Sequence, residues 1–295
     1  MIDPRPWGEL LSDNLDQARV RVMGVPFDLA VSCGKGAYQA PERIRELSRY
    51  MPATTETGVI LDRVKVFDAG DVPVDLNWER YYKTVEDRAF DLMAGSGFCL
   101  FLGGDHSVTI PLHRAFGRRH AAGRIGVIHF DAHCDLCDSY AGHRWSHACT
   151  GRRCLDDVIK PGDLTLLGIR SYEKEELDFL RRHPEIQVFS APNLYSRGIE
   201  AAWRAMEERY HNYDAVYFTL DIDVLDPACA PGTGTPEAGG LTSRELLELV
   251  KLVVGNLPVK AMDIVEVSPA LDHSDITSWA ALKVIYEVFG CLNGR

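Results

Sequence analysis

No stretch of this 295-residue chain approaches the ~18–20 consecutive apolar residues that a membrane-spanning helix requires, and the opening Met1-Ile2-Asp3-Pro4-Arg5-Pro6 carries no apolar signal core. No membrane partner and a cytoplasmic location are therefore expected. Positive charge is also scarce: 32 Lys and Arg stand against 43 Asp and Glu, a formal net charge of −11. Such a surface repels a phosphate backbone on average, so nucleic acid is not an expected partner. The chain has no internal repeat, no low-complexity tract and no Pro-rich linker. Its eight cysteines are scattered through the length rather than grouped as the framework of a small secreted domain, and they read as reduced thiols.

What is present suits a large buried core, since 46% of residues are hydrophobic and 25% charged. Apolar, β-branched runs recur at Val20 to Val25, Val64 to Phe67, Phe98 to Leu102, Ile125 to Phe130, Leu164 to Ile169, Ile186 to Phe189, Ala215 to Leu220 and Val259 to Val267. Helical patterns separate most of them: Pro41 to Tyr50, Trp78 to Ala94, Pro111 to His120, Glu173 to Arg182, Ile199 to Tyr210, Ser243 to Val254 and Ile276 to Phe289. The strands are apolar throughout instead of alternating, which means both sheet faces are covered. The expected fold is one α/β domain over residues 1–295, a three-layer α/β/α arrangement with a mostly parallel eight-stranded sheet. Cys134 to Asp157 breaks the rhythm and reads as a long functional loop.

Chemistry concentrates where strands end. The third strand runs into Gly103-Gly104-Asp105-His106, and the fourth into Asp131-Ala132-His133-Cys134-Asp135. If that stretch stays extended, its period of two puts Asp131, His133 and Asp135 on one face. By the same rule Asp221 and Asp223 share a face at the end of the seventh strand. Burying several acids together costs several kcal/mol per ion unless cations neutralise them, so bound metal is the simplest account. Carboxylates with a minority of imidazoles favour Mn²⁺ over softer ions, and five such positions plus His106 suit two ions. The bland alternative is a set of strand-end carboxylates that cap helices or pair with Lys and Arg. Cys134 and Cys137 form a lone Cys-x-x-Cys, with no second pair at zinc spacing. His129, His113 and His120 read as structural or exposed, and Arg152 and Arg153 as solvating the loop.

These segments, in this order and separation, resemble the three characteristic motifs of the ureohydrolase (arginase and agmatinase) family. The likeness runs from Gly24-Val25-Pro26-Phe27-Asp28 to Asp272-His273-Ser274-Asp275-Ile276-Thr277, almost the full chain. The resemblance implies that His106, Asp131, Asp135 and Asp221 hold one manganese, and Asp131, His133, Asp221 and Asp223 the other. It also implies that Asp135 orients the attacking water, that Glu266 grips a guanidinium group, and that His147 shuttles protons. Thr235 lies where the family places a substrate-lining loop, and Ser171 belongs to the Gly168-Ile169-Arg170-Ser171 stretch, which looks like agmatinases more than arginases. The implied reaction releases urea and an amine from a small cationic guanidino substrate, by a homo-oligomer (trimer or hexamer).

Arginases place an Asn two residues after the last metal aspartate of the second motif, and here that residue is Cys137. Agmatine is thus favoured over L-arginine. The same chemistry on aminopropylagmatine, guanidinobutyrate or another amidine stays open, as does a metal-binding protein without turnover.

Overall fold

In the computed structural model, which describes residues 5–294, the eight expected strands all form. The first four residues, whose lack of a signal core was noted above, and Arg295 lie outside the described residues. The strands are β1 (Val20–Gly24), β2 (Val66–Asp71), β3 (Phe98–Leu102), β4 (Ile125–Phe130), β5 (Leu164–Ile169), β6 (Gln187–Ser190), β7 (Ala215–Asp221) and β8 (Val259–Val265). They make one sheet in the order β2-β1-β3-β8-β7-β4-β5-β6, and every neighbouring pair is parallel.

Successive strand residues feed two separate cores. Leu100, Ile128 and Phe218 face one, packed against α1 (Ala40–Ser48), α7 (Ile199–Tyr210), α8 (Ser243–Asn256) and α9 (Ile276–Asn293). Phe101, Val127 and Tyr217 face the other, under α2 (Trp78–Leu92), α3 (Thr109–Arg119), α4 (Thr150–Asp157) and α5 (Lys174–Arg182). Apolar residues at both parities of each strand are what a sheet covered on both faces demands, so the three-layer expectation holds.

Two helices depart from the sequence reading. The segment 134–157 is irregular only to Ser146, after which a turn of 3₁₀ helix (His147–Cys149) leads into α4. This helix has little apolar periodicity because it buries Thr150, Gly151, Arg153 and Cys154. Arg153 does not solvate the loop: it is buried and pairs with Asp138 at 2.8 Å and Asp156 at 2.9 Å. The other is α6 (Ala191–Arg197), seven residues with Pro192 in its first turn and only Ala191 and Leu194 buried. No described helix is long and apolar enough to cross a membrane.

Candidate active site

Parallel strands end together, so the segments leaving β3, β4, β5, β7 and β8 gather beyond one edge of the sheet, where open α/β folds bind ligands. Gly104 lets the chain leaving β3 pass close against the backbone of Phe27: a Cβ there would lie 1.8 Å from the Phe27 carbonyl oxygen. Asp105 then caps a 3₁₀ turn, accepting from Ser107 N, and delivers His106 into the interior.

His106 Nδ1 lies 3.0 Å from Asp131 Oδ2, 3.2 Å from Asp135 Oδ2 and 3.2 Å from Asp221 Oδ2. Neither His106 Nδ1 nor Asp135 Oδ2 makes an aligned hydrogen bond, although both are buried. A second group adjoins the first: His133 Nδ1 lies 3.3 Å from Asp131 Oδ1 and 3.1 Å from Asp223 Oδ2. Asp131 thus belongs to both groups: His106, His129, Asp131 and Asp135 lie at metal-binding spacing, as do Asp131, His133 and Asp223, and Asp221 adjoins the first set through His106. The structure brings all six expected ligand residues together.

It does so by a different route from the one expected. Asp131 follows the end of β4, and Asp135 sits in the left-handed region at φ 54°, so the segment does not stay extended. Asp221 ends β7 and Asp223 lies in a 3₁₀ turn whose backbone N–H donates to Asp221 Oδ1 at 2.8 Å. Turns rather than strand periodicity aim these carboxylates. Ala132 N–H donates to Asp223 Oδ1 at 3.0 Å and stitches the two segments together.

The electrostatics lack positive charge. Burial and then the Asp131 carboxylate push Asp135 well above the usual carboxylate range, and burial with Asp223 and Asp131 does the same to Asp221. Burial opposes charge on His106, yet Asp131 and Asp135 raise it to about 10, and Asp131 and Asp223 likewise raise His133. Asp131, despite burial, is held well below the usual range by its histidine neighbours. Without other cations, the two imidazoles are drawn toward the charged form and two carboxylates toward the neutral one.

Glu266 follows β8 with φ 60°, an uncommon conformation for a residue with a long side chain. Its Oε1 accepts from His106 N–H at 2.8 Å, and burial and then Asp105 raise it to about 8. His147 Nε2 accepts from Ser32 N–H at 3.1 Å, which puts the proton of the neutral ring on Nδ1, 3.8 Å from Glu266 Oε1. Burial lowers His147 to about 4. A cavity of ≈ 200 Å³ is walled by His133, Asp135, His147, Ser171 and Thr235 among others. Glu266 is buried and does not line it.

Sequence reasoning gave no role to Thr219 and Asp263, which stand behind the candidate ligands, and read His129 only as structural or exposed. His129 is fully buried, with Nε2 2.8 Å from Asp131 Oδ2. Thr219 Oγ1 stands 2.9 Å from His106 Nε2 and donates to Asp263 Oδ1 at 2.6 Å, while Tyr217 and Thr109 donate to Asp263 Oδ2, each at 2.8 Å. This line holds the His106 ring with Nδ1 toward the carboxylates. Asp263 was detectable as a lone acid inside an apolar strand; Thr219 and His129 had no such signal. Cys134 and Cys137 are free and buried, and burial with Glu176 nearby raises both thiols.

The arginase family profile matches residues 18–290. The chain is 38% identical over 281 residues to the agmatinase of Bacillus cereus, covering 93% of this chain and 92% of that protein. It is 33% identical over 287 residues to the guanidinobutyrase of Pseudomonas aeruginosa, covering 95% and 88%. Among solved structures, the proclavaminate amidino hydrolase of Streptomyces clavuligerus superposes with a TM-score of 0.88 at 32% identity, over 99% of this chain and 98% of that one.

Proposed function

The chain belongs to the arginase family as an agmatinase-like ureohydrolase, a hydrolase of C–N bonds in linear amidines, and from that premise we propose that it cleaves agmatine to putrescine and urea with two manganese ions. The carrying observation is that three buried carboxylates converge within 3.0–3.2 Å of His106 Nδ1, with neither that nitrogen nor Asp135 Oδ2 making an aligned hydrogen bond. That donor set of oxygens and imidazole nitrogens fits divalent manganese. His106, Asp131, Asp135 and Asp221 would hold one ion, and Asp131, His133, Asp221 and Asp223 the other. Once bound, such ions would lower the pKa of a nearby water toward neutrality.

The protein's own groups do the rest. Asp135 Oδ2, which makes no aligned hydrogen bond within the protein, accepts a hydrogen bond from the attacking water and fixes its direction. Glu266 pairs with the cationic guanidinium and holds its carbon toward that water. The water oxygen bonds to the guanidinium carbon, the bond from that carbon to the alkyl-bearing nitrogen breaks, and both water protons end on that nitrogen, so that urea and an alkylammonium ion leave. Burial keeps His147 neutral near pH 7, so it can relay one of these protons. Ser171 and Thr235 line the entry to these groups.

Cys137 supports agmatine over L-arginine, because it stands where arginases place an Asn to hold the amino-acid carboxylate, and a buried thiol is a poor donor for that task. Urea release by purified protein with Mn²⁺ tests the proposal. Agmatine should outperform L-arginine and 4-guanidinobutanoate in kcat/KM. Urea from another guanidino compound but not from agmatine would transfer the activity to that compound, and no urea from any of them would overturn the proposal.

A further inference from the structure

The same cavity holds a carboxylate that the proposed reaction does not use. Glu173, Glu176 and Glu237 all line it, together with Tyr140 and Tyr172, and its wall contains no lysine or arginine. Two of the three acids are already committed. Glu176 is buried and accepts from the backbone N–H groups of Leu136 and Glu173, each at 2.8 Å. The Glu173 side chain caps the first turn of α5. Glu237 is different: half-buried, its carboxylate makes no hydrogen bond or ion pair among the described residues.

The backbone of Glu237 is nevertheless held firmly. Arg170 donates to the Glu237 carbonyl oxygen from Nη2 at 2.8 Å and from Nε at 3.2 Å. The same guanidinium donates to the carbonyls of Asp223 at 2.7 Å and Leu225 at 3.1 Å. One side chain therefore fixes the Glu237 loop relative to the turn that carries Asp223. The buried Asp135 Oδ2, which makes no aligned hydrogen bond, marks the reacting end of the same cavity.

We propose that Glu237 is the specificity-determining residue for the far end of the substrate, pairing with the terminal ammonium of an ω-amino guanidine while Tyr140 and Tyr172 pack along its charged tail. This rests on the ureohydrolase reading above and names the substrate class for it. An acid wall without lysine or arginine repels the carboxylate tail of a guanidino acid.

The test compares wild type, Glu237→Gln and Glu237→Lys, all Mn²⁺-loaded, on agmatine, 1-butylguanidine and 4-guanidinobutanoate. The first two share a four-carbon chain and differ in the terminal ammonium. Glu237→Gln should lower the ratio of kcat/KM for agmatine to that for 1-butylguanidine about ten- to a hundredfold, mainly through KM for agmatine. Glu237→Lys should lower it further and shift preference toward 4-guanidinobutanoate. A ratio that stays at the wild-type value in both variants, with urea still produced, overturns the role of Glu237 alone. Absence of urea from all three compounds with wild type removes the ureohydrolase reading and this inference together.

Discussion

Replacing Thr219 by valine tests the line of hydrogen bonds behind His106. The change nearly preserves shape and exchanges one buried hydroxyl for a methyl group. That hydroxyl stands 2.9 Å from His106 Nε2 and 2.6 Å from Asp263 Oδ1. Valine leaves the imidazole N–H and one carboxylate oxygen without this partner, while Asp263 Oδ2 keeps Tyr217 and Thr109. An unsatisfied buried polar group costs about 1–3 kcal/mol, so a stability loss of about 2–3 kcal/mol is expected. The diagnostic effect lies elsewhere: a ligand imidazole that loses its outer partner typically loses 10–100-fold in metal affinity. Calorimetric titration of metal-free wild type and Thr219→Val with Mn²⁺ reads that effect, and thermal denaturation of the same metal-free samples reads the stability loss. A destabilised variant with wild-type Mn²⁺ affinity would refute the reasoning and reduce Thr219 to a packing residue.

Glu266→Gln keeps an acceptor for His106 N–H but removes the charge that pairs with guanidinium; kcat/KM for agmatine should fall by about a hundredfold or more, with metal content unchanged by elemental analysis. Loss of metal in that variant would show that Glu266 supports the ligands instead. Away from the site, Arg244 and Lys251 hold the Glu56 carboxylate down at about 2, against an ordinary 4.5. A depressed folded-state pKa contributes stability that is present above pH 4.5 and is lost as pH falls toward 2, so Glu56→Gln should cost at most about 1 kcal/mol at pH 7 and nothing near pH 2. Equal costs at both pH values in denaturant melts would contradict this.

The strands were legible because each is apolar at both parities, and the two cores on opposite faces of the sheet are the physical cause of that pattern. β2 was the exception: at the sheet edge it continues through Asp68, Gly70 and Asp71, where Arg45 pairs with both acids and Trp7 Nε1 donates to Asp68 at 2.7 Å. Partners distant in sequence make those polar residues tolerable in a strand, and no local pattern encodes them. At the site, the candidate ligand residues were legible as a chemical set, but their geometry was not. Period two cannot describe Asp135 in a left-handed conformation or Asp223 in a 3₁₀ turn. The supporting layer of Thr219, His129 and Asp263 depends on which strands are neighbours, and the adjacency of β7 to both β4 and β8 is a property of the folded sheet.

Asp131 joins both ligand groups, so the most direct measurement is the number of manganese ions retained per chain by wild type and by Asp131→Asn after equilibration with Mn²⁺ and gel filtration. The account predicts two in the wild type and fewer than two in the variant. A wild type that retains none, or a variant that still retains two, would contradict it.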